Sequence, residues 1–229
     1  AKMANPDNTS AGQSKIAITN NGNIDMSGLN SISFYSRYGI ITNNNIINSS
    51  NGAISIYGTN NTKINNAGTI NLGDNSIGLA AKAKGSSSIA SNDLIDITNS
   101  GSIISNGATA PIGIYALNDS STVRTDANVI NSNIIDLRNS VKSIGAYVLK
   151  GTFTNTGTIS VGTEGIAILA DETDVNMSGT MNLTGNKSVG FHLENGSTVT
   201  SATGAVNIDG TDIVIFNIKG SSAPIPNGL

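Results

Sequence analysis

A seven-residue pattern recurs along the chain: an Ile, Val or Phe, then Asn in third place, Gly or Asn in fifth, and Ile, Val or Met in seventh. It reads ITNNGNI from Ile18, ITNNNII from Ile41, INNAGTI from Ile64, ITNSGSI from Ile97, VINSNII from Val129 and FTNTGTI from Phe153, with looser copies VNMSGTM from Val175 and VTSATGAV from Val199. The closing residues are Ile24, Ile47, Ile70, Ile103, Ile135, Ile159, Met181 and Val206, so the steps are 23, 23, 33, 32, 24, 22 and 25 residues. Self-similarity at such a period marks a repeat architecture, in which each unit buries its apolar side against the next. The step is too long for a hexapeptide helix and lacks the helical patterning of leucine-rich or ankyrin units. It suits three short strands and three turns, an all-β parallel solenoid of about eight coils, roughly 38 Å long at the usual strand spacing.

Within each step the apolar residues alternate, as half-buried strands require. A first strand carries pairs such as Ile70 and Leu72, or Ile159 and Val161; the signature's opening residue marks the third strand. A second strand carries Ile32 and Phe34, Ile54 and Ile56, Ile77 and Leu79, Ile112 and Ile114, Ile144 and Ala146, Ile166 and Ile168, Val189 and Phe191, Ile213 and Ile215, all expected to face inward. The signature Asn recurs as Asn20, Asn43, Asn66, Asn99, Asn131 and Asn155, and in-register Asn side chains can hydrogen-bond along a stack. Met177 and Ser201 interrupt that ladder. The Gly or Asn closing the turn (Gly22, Asn45, Gly68, Gly101, Asn133, Gly157, Gly179, Gly204) is expected to hold left-handed φ. The two long steps place insertions between second and third strands of adjacent coils, so both loops emerge on one edge. One domain over 16–218 is expected, with an extension at 1–15 and a tail at 219–229.

Composition narrows the function. Charged residues are 12% and aromatics 4%, while the 38% hydrophobic content is too regular for a disordered linker. A net charge of −3 with scattered Lys and Arg offers no basic face to nucleic acid or an anionic membrane. No run approaches the roughly 18 apolar residues of a membrane-spanning helix, and no secretory core opens the chain. With zero cysteines there is neither a disulfide framework nor a thiolate metal site.

Catalytic candidates are few. His192 is the only histidine and falls at an outward position, where a solvated side chain is the plain reading. No nucleophile elbow, P-loop or zincin motif occurs. The run Asp171 to Asp174 is an acidic corner that could in principle offer calcium oxygens, but solvation accounts for it as well. No cofactor, catalytic residue or metal site is therefore assigned. The outward residue after the inward pair of the second strand reads Tyr35, Tyr57, Ala80, Tyr115, Tyr147, Leu169, His192 and Phe216 along the stack. An aromatic stripe suits a glycan or protein partner; small residues between the inward pair (Ser55, Gly78, Gly113, Gly145) would leave a shallow groove beside it. Lys82, Lys84, Asn118 and Arg124, on or beside the two insertions, complete the candidate binding set.

The coils GTINLGDNSIGLAA, GTISVGTEGIAIL and SGTMNLTGNKSVGFHLENGSTV resemble repeats of type V autotransporter passenger domains, and are most similar to the large adhesins of fusobacteria. The resemblance covers about Ile16 to Ile218. It implies a right-handed parallel β-helix displayed outside a Gram-negative cell, attaching it to host cells or other bacteria through a surface glycan or protein. Without a signal peptide or translocator barrel, the chain is expected to be an excised passenger segment, and a monomer. A β-helical polysaccharide lyase or hydrolase is the alternative, although the aligned columns supply no convergent Asp, Arg or Lys; a stalk or toxin-like passenger with no binding of its own is another.

Overall fold

The computed structural model describes residues 16–83, 94–118 and 127–220. These contain no helix, and so none long and apolar enough to cross a membrane. Eight strands, Ile24–Asp25, Ile46–Asn48, Thr69–Leu72, Ser102–Ser105, Ile134–Leu137, Thr158–Val161, Thr180–Leu183 and Ala205–Ile208, stack in chain order as one parallel sheet. This is the first face. Neighbours in it are separated by one complete turn of chain, so the molecule is a parallel β-helix of eight coils.

A second, larger sheet wraps the remaining two faces. The second face begins with Ile32–Arg37, Ile54–Thr59, Ile77–Ala83 and Ile112–Asn118; the third begins with Ala17–Asn20, Ile40–Asn43, Thr62–Asn66 and Ile95–Asn99. In the later coils the strands Ile144–Asn155 and Ile166–Met177 run through both faces without a break. They turn the corner at Lys150 and Glu172, whose φ values are 56° and 47°. The insertions replace that corner in the two coils before. Ala83 pairs with Asn118 just before the two insertions, and Ile95 pairs with Ala127 just after them, so both insertions leave and rejoin the coils at one edge.

The corner leading into the second face is left-handed in every coil. Asn30, Gly52, Asn75, Ala110, Lys142, Glu164, Lys187 and Asp212 each stand two residues before the second-face strand with positive φ. Away from Gly, Asn and Asp that conformation costs about 1–2 kcal/mol. Inter-coil backbone bonds offset it: Ala110 donates to Val141 O at 2.8 Å, Lys142 to Thr163 O at 2.9 Å and Glu164 to Asn186 O at 2.8 Å.

The signature glycines, by contrast, do not have positive φ, and neither do Asn45 and Asn133, which corrects the expectation for them. Crowding explains the glycines instead, except Gly22 in the first coil, where an added Cβ would meet nothing within 4 Å. A Cβ on Gly101 would lie 2.0 Å from Gly68 O, on Gly157 2.0 Å from Asn133 O, and on Gly179 2.0 Å from Gly157 O. Where Asn133 takes the place, the ladder loosens locally: Ile134 N reaches Gly101 O at 3.4 Å, against 2.8 Å for Thr158 N to Asn133 O in the next coil.

The core is a stack of layers. Ile47, Ile70, Ile103, Ile135, Ile159 and Met181 project from the first face, and Ile41, Ile64, Ile97, Val129, Phe153 and Val175 from the third, all fully buried. From the second face come Ile56, Leu79, Ile114, Ala146, Ile168 and Phe191, also fully buried. The first member of each second-face pair behaves otherwise. Ile54, Ile77, Ile112, Ile144, Ile166 and Val189 are only half-buried and lie outside the packed core. The chain bends after them, so that two successive residues face inward, and the first of these is the small one: Ser55, Gly78, Gly113, Gly145, Ala167 or Gly190. A Cβ on Gly145 would meet Ile159 Cγ2 at 2.6 Å and Ala167 O at 2.5 Å. The small residues make room for isoleucines from the opposite face; they do not open a groove at the surface.

Candidate binding face

The outward side chains of the three faces differ in kind. On the first face they include Asp25, Asn48, Asn71, Asn182 and Asn207, tied coil to coil: Asn71 Nδ2 donates to Asn48 Oδ1 at 2.6 Å and Asn207 Nδ2 to Asn182 Oδ1 at 2.8 Å. The third face shows Thr19, Thr42, Asn65, Thr98 and Thr154. The first and third faces also carry single outward isoleucines, among them Ile46, Ile104 and Ile134 on the first and Ile40 and Ile130 on the third, but only the second face has apolar residues in continuous columns, and three columns run along it.

The first column is Ile32, Ile54, Ile77, Ile112, Ile144, Ile166, Val189 and Val214, in register along the sheet. Its ends are open, with Ile32 47% and Val214 43% exposed. Sequence alternation assigns most of these residues to the core, so this ridge is invisible without the bend.

The second column holds the tyrosines. Tyr35 and Tyr57 pack with ring centroids 5.6 Å apart at 40°, and Tyr115 and Tyr147 at 5.3 Å and 58°. Ala80 separates the two pairs. Burial raises the Tyr57 hydroxyl above its ordinary pKa, with neighbouring Tyr35 and Tyr115 adding to the effect. For Tyr147 burial again leads, followed by the charge of Asp171. These phenols therefore stay neutral, with apolar rings and a polar rim. Leu169 and His192 continue the column, and Asn217, not Phe216, ends it. The last coil keeps the spacing of the one before it, with Val206 as far from Val214 as Met181 is from Val189, which brings Phe216 inward to stack on Phe191 at 4.8 Å and 8°, and aligns Val214, not Ile213, with Val189.

Arg37, Thr59, Lys82, Leu117, Leu149, Asp171, Glu194 and Lys219 form the third column. Arg37 and Lys82 stand in its early coils and Asp171 and Glu194 in its late ones, with Lys219 at the far end. Glu194 Oε1 receives His192 Nε2 at 3.0 Å and Lys219 Nζ at 3.3 Å, and Asn217 Nδ2 lies 3.2 Å from His192 Nδ1. The hydrogen bond from His192 is the main reason the Glu194 carboxyl falls below its usual pKa; Lys219 assists, and partial burial opposes.

Of the candidates on the insertions, Lys82 stands half-buried in this third column. Asn118 is not a surface residue: it is fully buried and its Nδ2 donates to Lys150 O at 3.4 Å, so it serves the corner of the next coil. Lys84 and Arg124 lie outside the described residues, as do 1–15 and 221–229. The second-face strand of the last coil runs on to Lys219, inside the expected tail.

The asparagines Asn20 to Asn155 form a continuous buried ladder. Each Nδ2 donates to the next Oδ1 at 2.7–2.8 Å, and Asn155 Nδ2 ends on Met177 Sδ at 3.2 Å. After Val175 the register slips by one residue, which aligns Met177 with Ala202 and leaves Ser201 beside Asn176. These amides fix the coil and are closed to a ligand. The acidic corner disperses: Asp171 takes Asn195 Nδ2 at 2.7 Å, Glu172 pairs with Lys150 at 3.8 Å and Asp174 accepts from Thr198 Oγ1 at 2.6 Å. Among the described residues no group of three or more His, Cys, Asp or Glu could hold a metal ion.

Comparison with protein-family models, curated proteins and solved structures found no match. What the rod can do chemically is therefore read from its surface. It offers a long, regular apolar face with phenolic hydroxyls along it.

Proposed function

We propose that this chain is a surface-exposed passenger segment of a bacterial autotransporter adhesin, and that it attaches the cell through the second face to a surface protein or glycan. The observation that carries the reading is the asymmetry of the rod. Two faces carry mostly Asn, Thr, Ser and Asp, with isoleucines such as Ile46, Ile130 and Ile134 set singly among them, while one bears two continuous columns that are largely apolar. Contiguous apolar surface of this extent on a soluble protein marks an interaction site, and tyrosines supply contact area with little loss of side-chain freedom. The resemblance of the coils to fusobacterial passenger repeats supports the extracellular setting and the adhesive role. The function is binding, not catalysis.

The test is attachment of the purified segment to host and bacterial cells and to a glycan array, beside Tyr115→Ala/Tyr147→Ala. Saturable binding that falls at least tenfold in the variant, with unchanged circular dichroism, is the expected result. Equal binding by both proteins removes the stripe as the site. No binding by either makes the segment a stalk, and turnover of an acidic polysaccharide would replace the reading with the lyase alternative.

A further inference from the structure

An Asn–Gly dipeptide is the point at which a chain most readily loses side-chain ammonia, because glycine has no Cβ to keep its backbone nitrogen away from the preceding amide. The dipeptide occurs at Asn21–Gly22, Asn51–Gly52, Asn106–Gly107, Asn195–Gly196 and Asn227–Gly228, the last outside the described residues. The fold treats the four described copies differently. At Asn51 both side-chain atoms are held by the next coil: Nδ2 donates to Asp74 Oδ2 at 3.2 Å, and Oδ1 accepts from Asp74 N at 2.9 Å. Gly52 N is also engaged, donating to Asp74 O at 2.7 Å. Asn195 Nδ2 donates to Asp171 Oδ1 at 2.7 Å. Asn21 Oδ1 accepts from Asn44 Nδ2 at 2.9 Å, while Gly22 N donates to Asn20 Oδ1 at 3.3 Å.

Asn106 and Gly107 differ from all of these. Both are exposed, and neither has a hydrogen-bond partner among the described residues. The length of the corner is the cause. Residues 106–111 join Ser105 to the second-face strand here, whereas the shorter stretch 73–76 suffices after Leu72. Ser105 still pairs with Leu72 in the first-face sheet. The chain rejoins its neighbours only at Ala108, whose O accepts from Val141 N at 3.2 Å, and at Thr109, whose N donates to Asp74 Oδ1 at 2.7 Å. Between these anchors Gly107 has a φ of 85°, and a Cβ on it would meet nothing within 4 Å. The fifth coil has a corner of the same length, 138–143, but there Asn139 precedes Ser140, whose N is bound to Leu137 O at 3.0 Å. Asn106 is thus the copy whose amide and following nitrogen are both left unheld.

We propose that Asn106 is a self-modification site, at which the folded chain converts asparagine to aspartate and isoaspartate. The Gly107 nitrogen attacks Asn106 Cγ and closes a succinimide ring. Its proton passes to solvent base, and the side-chain nitrogen takes protons from water and leaves as ammonia. Water then adds to one of the two ring carbonyls and breaks that carbon's bond to the ring nitrogen. Opening at Cγ gives aspartate; opening at the main-chain carbonyl gives isoaspartate, with the backbone running through the former side chain. In sum one ammonia is exchanged for one water, and no oxidant, metal or second protein takes part. The formal charge of the chain goes from −3 to −4. Because the modified corner lies outside both sheets, the stack of coils is kept.

The reaction is separate from attachment to cells, since Asn106 stands at the corner ahead of the second face and not on it. The test keeps the purified protein in mildly alkaline buffer made with heavy-oxygen water, and follows each Asn–Gly peptide by digestion and mass spectrometry. Isoaspartate is counted by methylation with an isoaspartyl methyltransferase. In the folded protein, label should enter Asn106 at least about tenfold faster than Asn21, Asn51 or Asn195, whose turns must first open locally. In denaturing urea, where all four turns are released, the rates should converge. Asn106→Gln, whose longer side chain does not close the same ring, should remove the leading product and leave the other three rates and the melting curve unchanged. Equal rates at the four sites in the folded protein, a faster rate at another of them, or an undiminished lead of Asn106 in urea overturns the proposal.

Discussion

Asn99 gives the measure of one amide in the ladder. It accepts from Asn66 Nδ2 at 2.8 Å, donates to Asn131 Oδ1 at 2.8 Å and to Ile134 O at 3.3 Å, and is fully buried. An alanine there removes both ladder bonds at once and strands a donor above and an acceptor below, each away from water. A buried polar group left without its partner costs about 1–3 kcal/mol. Asn99→Ala should therefore lose about 2–5 kcal/mol in urea denaturation. Asn20→Ala, which removes a single ladder bond at the rim, should lose about 1 kcal/mol. Equal losses would mean that the ladder contributes as separate bonds to local backbone, not as a chain of amides. A second contrast concerns the inward small residues. Gly145→Ala brings a methyl group to 2.6 Å from Ile159 Cγ2, and overpacking of that kind costs about 1–3 kcal/mol. If the thermal midpoint of that variant equals the parent's, the bend does not fix where the Cβ points.

At the level of strands and columns, the legible part was whatever repeats in the coil itself. The Asn ladder could be read because one residue type returns at one corner six times, and hydrogen-bonding capacity needs no further information. The outward ridge from Ile54 to Val189 could not. Period-two alternation assumes that the chain does not bend, and here it turns so that Gly113 and Ile114 both face inward. Only the isoleucines across the core reveal why Gly is required. For the signature glycines the residue was read correctly and the cause was not, since crowding by Gly68 O and a left-handed φ ask for the same residue. Phe216 was misplaced because the span between first-face and second-face strands varies from coil to coil, so that alternation alone fits Ile213 and Ile215 as well as Val214 and Phe216.

The cluster of His192, Glu194 and Lys219 belongs to this same scale, because it links the strands of the last two coils. The Glu194 carboxyl, with an ordinary value of 4.5, titrates lower in the folded protein. A depressed folded pKa adds stability above the unfolded value, and that contribution is lost as pH falls through the folded one. The effect is small, since partly exposed ion pairs are screened. Between about pH 5 and pH 3 the thermal midpoint of the parent should fall more than that of Glu194→Gln. Parallel curves for the two proteins would show that the carboxylate gains nothing from His192 and Lys219.

For the whole rod, stability is a sum over neighbours. Each coil touches only the coils on either side, so the two terminal coils have half the partners of the others. The side chains record it: Ile103, Ile135 and Ile159 are fully buried in the middle, while their counterparts Ile24 and Val206 are only half-buried and Ile208 is 51% exposed. Opening should begin at both ends and move inward, because the first coil to leave loses one interface and a middle coil must lose two. Amide hydrogen exchange should therefore be slowest in Ile112–Asn118 and Ile144–Asn155 and should quicken stepwise toward Ile32–Arg37 and Val214–Lys219. The same gradient should appear in mutational cost, with Ile135→Ala losing about 2–5 kcal/mol and Ile24→Ala clearly less, since a partly open site can relax around the smaller side chain. Uniform protection of all eight coils would mean that the solenoid opens as one cooperative block, and that its interfaces are worth more than the intrinsic stability of any single coil.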